Sequence, residues 1–134
     1  MNKQENLPVM QSSEHENIQA VQQMYAAFAQ HNLPSLLEIV ADDVEWSIAK
    51  SEYSSQTGVY RGVEQVIQVL TSVGDLELQQ LQPQEFIAQN NQVVAIGHAL
   101  GRLISTNISV EYDWVHVFNL RNSKIVKFSA FFSR

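Results

Sequence analysis

Val110-Glu-Tyr-Asp-Trp-Val-His-Val-Phe-Asn-Leu120, a short polar turn Arg121-Asn-Ser-Lys124, and then Ile125-Val-Lys-Phe-Ser-Ala-Phe-Phe132 form the stretch whose reading decides the fold. Side chains alternate across a strand, so Tyr112, Trp114, His116, Phe118 and Leu120 share one face. Val115 and Val117 make the opposite face apolar as well. Both faces therefore require burial, which helices of the same chain could supply on one side and a second subunit on the other. An imidazole and an indole would then stand on one wall of the interior.

Upstream of this stretch the alternation continues, over Leu76 to Phe86 and over Gln92 to Leu103, with turns at Gln89-Asn90-Asn91 and Ser105-Thr106-Asn107. Pro83 cannot donate to a sheet ladder and predicts an edge strand or a bulge. The first half of the chain reads differently. Behind Ser12-Ser13 as caps, Ile18, Val21, Tyr25 and Phe28 recur at helical spacing with Met24 beside them, and His31-Asn32 ends the helix. Pro34 sits where a second short helix, Ser35 to Val40, would begin. Asp42-Asp43 then breaks that helix before an alternating strand, Val44 to Ile48, with Trp46 turned inward. Ala49 to Arg61 lacks periodicity and reads as a loop, and Gly62 precedes a third helix, Val63 to Leu70, closed by Gly74-Asp75. The expectation is an α+β fold, three N-terminal helices packed on one face of a curved, mostly antiparallel sheet.

With 134 residues there is room for one domain, expected over 14–134 behind a flexible lead-in of 1–13. A 45% hydrophobic fraction without any apolar run of about 20 residues predicts a soluble chain, and the polar start carries no secretory h-region, so a cytoplasmic location is the default. The absence of cysteine excludes disulfides and thiol chemistry. A net charge of −6 with eight Lys plus Arg argues against nucleic acid and against anionic membrane as partners. A small molecule or another protein is expected instead.

The order of elements, together with Val21 to Phe28, Leu33 to Val40, Ala41-Asp-Asp-Val-Glu-Trp46, Gly58-Val-Tyr-Arg-Gly62, Val93-Val-Ala-Ile-Gly97 and His116-Val-Phe through Lys124-Ile-Val, resembles the NTF2-like superfamily, and within it the SnoaL-like and ketosteroid-isomerase-like proteins. The resemblance covers roughly Asn17 to Phe132. It implies a cone-shaped domain enclosing a mostly apolar pocket, and dimerisation through the outer sheet face. Function transfers less fully. Ketosteroid isomerases use a carboxylate base at the end of the first strand, and a tyrosine and a protonated aspartic acid as the oxyanion hole. The resemblance puts Met24 at the tyrosine, Ile48 at the base, and Val115 or His116 at the acid, with His116 favoured because Trp114 and Phe118 share its face. Many SnoaL-like sequences end in an aspartate where this chain has Ser133. Steroid isomerisation by the familiar mechanism is not expected.

His116 is the leading catalytic candidate, because an imidazole in an apolar interior is the side chain whose pKa moves most readily across neutrality. Tyr25 on the first-helix stripe could donate to a developing oxyanion. The bland alternative for both is a core residue with a satisfied hydrogen bond. The expected ligand pocket comprises Met24, Phe28, Trp46, Ile48, His98, Trp114, Phe118, Phe128, Ala130 and Phe132. For the strand of His98 two faces stay open: His98 shares its parity with Val94, Ile96 and Leu100, while Ala95, Gly97 and Ala99 take the other. Glu111 and Asp113 should point to solvent or a dimer partner. The histidines at 15, 31, 98 and 116 have no ligand spacing, so neither a metal nor a cofactor is expected. A homodimer binding a small apolar molecule is the favoured reading, with isomerase-type or lyase-type acid–base activity as its catalytic form. A non-catalytic binder of hydrophobic ligands and a dimeric interaction module are the alternatives.

Overall fold

The computed structural model describes residues 12–51, 56–72 and 74–133. Nearly all of the expected lead-in, 1–13, lies outside these residues, and helix α1 (Ser12–Ala29) already includes Ser12 and Ser13. Along α1, Asn17, Ala20, Val21, Met24 and Tyr25 are buried, the three-and-four spacing that turns one stripe to a core. Its end is a Schellman turn: His31 has φ +55°, its N–H donates to Phe28 O, and the Asn32 N–H donates to Ala27 O. Asn32 then caps α2 (Leu33–Leu37) by accepting the Ser35 N–H on Oδ1.

Helix α2 is shorter than the expected Ser35 to Val40, because β1 (Val40–Ile48) starts early. The Ile125 N–H donates to Ile39 O and Val40 pairs with Ile125, so a strand distant in sequence claims these residues before a further helical turn can form. Asp42-Asp43 consequently lies inside β1, at a register shift between Val40 and Glu45, where both side chains are exposed and Asp43 pairs with Arg121 at 2.9 Å. The expected loop Ala49 to Arg61 ends in a short strand, β2 (Gly58–Arg61), paired antiparallel with β1. Only after these two strands comes α3 (Gly62–Thr71), so the helices are not a purely N-terminal block.

The long strands β3 (Leu76–Gln89), β4 (Gln92–Leu103), β5 (Ile108–Arg121) and β6 (Lys124–Phe132) complete a six-stranded mixed sheet in the order β2-β1-β6-β5-β4-β3, in which β1 and β6 run parallel. A two-residue turn, Asn122-Ser123 with φ +53° and +62°, joins β5 to β6. β3 is an edge strand with register shifts at Leu78/Gln80 and Pro83/Glu85, as Pro83 predicts. α1 packs on β3 and β4 and α3 on β1, all on one sheet face. The core between them holds Val21, Val44, Val66, Val93, Phe118 and Ile125 without measurable exposure. No helix among the described residues is long and apolar enough to cross a membrane.

On β4, the face turned to the helices is the small one: Ala95, Gly97, Ala99 and Gly101 are buried, while Val94, Ile96, His98 and Leu100 lie outside. Across β3 to β6 the outer rows read Glu85–Ile96–Val115–Phe131 and Ile87–Val94–Val117–Ser129. Ile87 and Phe131 are each about half exposed, so this outer face carries apolar surface.

Candidate active or ligand-binding site

The pairing register places the ends of β1, β4 and β6 and the starts of β3 and β5 at the same end of the sheet. There the inner face, α1 and α3 surround a cavity of about 250 Å³. Of the expected pocket residues, Met24, Phe28, Trp46, Ile48, Phe128, Ala130 and Phe132 line it, together with the two catalytic candidates, Tyr25 and His116. Three do not. Trp114 and Phe118 share the inward face but are packed into the core behind the wall, at 1% and 0% exposure. His98 stands on the outer face, where Nδ1 is 2.8 Å from Asp113 Oδ1 and Nε2 is 3.2 Å from Glu111 Oε2. Those carboxylates, Asp113 above all, raise its pKa, and they point outward as the alternation predicts.

Tyr112, Leu36, Val69, Leu70, Leu76, Leu78 and Leu81 also line the cavity. Tyr112 was readable from its parity with Trp114, and the leucines of β3 from their alternation. The polar end was not readable. Ser51, Gln56, Ser72 and Asp75 come from loop or strand-start positions without periodicity. Gln56 Nε2 donates to Val69 O at 3.0 Å and to Ser72 Oγ. Asp75 is the one carboxylate among the described lining residues, and its two oxygens accept the Ser105 N–H and hydroxyl at 2.9 and 2.7 Å.

Deeper in, Tyr25 Oη lies 2.6 Å from His116 Nδ1, a bond across 91 residues of sequence. The imidazole stacks on the Trp114 indole at 4.1 Å between centroids and meets Phe128 edge-on at 4.9 Å. Trp46 stacks on Phe128 at 4.1 Å, so an aromatic pair continues the wall outward from the dyad. Burial pushes the His116 pKa down to about 3 and the Tyr25 phenol well above its ordinary value. Both are neutral at pH 7. The pair can therefore donate or accept hydrogen bonds, while a stored proton on the imidazole is strongly disfavoured.

The sequence pattern of the SnoaL-like domain matches residues 21–128. The chain belongs to this SnoaL-like family, within the NTF2-like superfamily. An NTF2-like protein from Burkholderia xenovorans LB400 is similar at 31% identity over 90% of this chain and 91% of that one, with a TM-score of 0.79. An NTF2-like protein of unknown function from Burkholderia pseudomallei K96243 is 29% identical over 88% and 91%, with a TM-score of 0.75. TerC, co-crystallized with polyporic acid, is 27% identical over 88% and 92%, with a TM-score of 0.71. No match is found among curated proteins. Met24 and Ile48 both line this cavity with apolar side chains.

Proposed function

We propose that this SnoaL-like protein binds a small, mainly apolar molecule in the interior of a cone-shaped domain, and that two copies pair through the outer sheet face. One observation carries the reading: a cavity of about 250 Å³ walled by Phe28, Trp46, Phe128 and Phe132, with the Tyr25–His116 pair as its deep polar feature. Apolar walls with few convergent polar groups are the general form of a small-molecule site. The unfilled interior favours binding over a module closed by its own side chains. The likeness to TerC, co-crystallized with polyporic acid, supports the same reading.

Binding is tested by thermal unfolding with a panel of cyclic ketones and hydrocarbons. A true ligand at 100 times its Kd adds about 2.7 kcal/mol, and Ala130→Leu, which narrows the cavity, is expected to abolish that gain. A panel that leaves Tm unchanged would sink the proposal. Trp46 in the wall reports occupancy by fluorescence. Substrate consumption in the same samples would make the protein an enzyme, with His116 and Tyr25 as the residues to replace first, whereas a fluorescence change without turnover makes it a binder.

Pairing of copies is supported by the outward-facing apolar row Ile96–Val115–Phe131, in which Phe131 is about half exposed. Light scattering is expected to give a dimer for the natural chain and a monomer for Phe131→Glu, with ligand binding retained. A monomeric natural chain at tens of micromolar would remove the dimer from the proposal.

A further inference from the structure

We propose that the ligand site has a second chamber, between the end of α1 and a bulge in β3, and that the ligand is an elongated molecule whose neutral polar end, a carboxamide or hydroxyl, occupies it. The inference rests on the cavity being a ligand site and adds what the ligand carries beyond its apolar part.

The sequence of β3 creates the chamber. Leu76, Leu78, Leu81 and Pro83 are half-buried, while Glu77, Gln79, Gln80 and Gln82 are exposed. Leu78 and Leu81 are three apart, a spacing that a regular strand cannot place on one face. The register resolves this: Leu78 pairs with Gly101 and Gln80 with Leu100, so Gln79 is the extra residue of a bulge. β3 is an edge strand, and the bulge bends it locally. Opposite the bend α1 stops, with Ala29 as its last residue and His31 in the left-handed turn behind it. A hollow of about 280 Å³ lies between the two, lined by Ala29, His31, Gln79, Gln80 and Gln82.

This hollow adjoins the main cavity, because Tyr25, Phe28, Leu78 and Leu81 line both. The partition is thus made of side chains, and Phe28, Leu78 and Leu81 are only half-buried. Side chains in that position change rotamer without leaving a void in a packed core. Size favours joint occupation. The main cavity alone, at about 250 Å³, falls short of the roughly 300–1,000 Å³ of small-molecule sites, whereas the two volumes together lie inside that range. Chemistry sets the terminal group. Among the described lining residues of the hollow there is no Asp, Glu, Lys or Arg, so neither a carboxylate nor an ammonium group finds a permanently charged partner. Three carboxamides offer donors and acceptors together, which matches a neutral amide or hydroxyl.

Calorimetric titration with naphthalene, 4-(2-naphthyl)butanamide and 4-(2-naphthyl)butanoate tests this. The amide is expected to bind about tenfold more tightly than naphthalene, the range of one or two net hydrogen bonds, and the butanoate without that gain. Ala29 is exposed and lines the hollow but not the cavity, so Ala29→Phe, which fills the hollow, should remove the gain and keep naphthalene affinity. Ala26→Phe, at an exposed position that lines neither space, should change nothing. In the natural chain the Ala29 methyl resonance should shift with the amide and stay in place with naphthalene. Equal affinities for the amide and naphthalene, or a gain that survives Ala29→Phe, would overturn the second chamber and leave the main cavity standing. A butanoate as tight as the amide would overturn the neutral terminus, and binding of none of the three would overturn both the chamber and the reading it rests on.

Discussion

Replacing Gly97 with alanine is expected to destabilise the protein by about 3 kcal/mol or more, a large fraction of the stability of a typical domain. A Cβ built at Gly97 would lie 2.3 Å from the Gln82 carbonyl oxygen and 2.3 Å from Trp114 Cζ2. Neither neighbour can give way cheaply. Gln82 belongs to the β3–β4 ladder, and Trp114 is 1% exposed with its indole stacked on His116. Any shift of the indole is passed to the imidazole and from there to Tyr25, so the folded remainder should also lose ligand affinity. Urea denaturation followed by far-ultraviolet circular dichroism measures the cost. A loss within about 1 kcal/mol would mean that Trp114 does not rest on Gly97.

The second large effect is a loss of stability in mild acid that belongs to His116. Unfolded, its imidazole takes a proton near pH 6.5; folded, burial holds it neutral until about 3. Below pH 6.5 the unfolded state therefore binds one proton more, and stability falls as pH falls through that window. The slope approaches about 1.4 kcal/mol per pH unit, and the full loss is about 4 to 5 kcal/mol at pH 3. His98 acts in another window. Its pKa is raised by Asp113 and Glu111, so its contribution is fully present below 6.5 and is lost as pH rises through the raised value. Asp43, lowered by its bond to Arg121, adds stability above 3.8 that is lost only below it. Between pH 4 and 6 the slope is thus dominated by His116 among these three. Denaturant titrations across that range should show it in the natural chain and a flatter profile in His116→Gln. Identical slopes would mean that the imidazole is not buried neutral.

Much of this architecture was legible in residue order alone. Alternation from Tyr112 to Leu120 assigned β5 and its inward wall, the Asn-Ser turn joined it to β6, and Pro83 marked an irregular edge strand, because period and turn chemistry are properties of neighbouring residues. The SnoaL-like resemblance followed from the same stretches. His116 and Tyr25 were both singled out, one for its face and one for its helical stripe. Their bond was invisible, because nothing local connects residues 91 positions apart.

Tertiary structure alone decided three matters. Hydropathy would turn Val94, Ile96 and Leu100 of β4 inward, yet the indole of Trp114 needs the space above Gly97, so the small residues face the helices and His98 is carried outside with the aliphatic row. Parallel pairing with β6 drew Val40 into β1 and cut α2 short, and pairing with β1 made a strand of Gly58–Arg61, which has no pattern of its own. The polar end of the cavity was assembled from Ser51, Gln56, Ser72 and Asp75, positions that only the register of distant strands brings together. Local chemistry determines what a segment can be; which of its faces is covered, and by what, is a choice made by partners far along the chain.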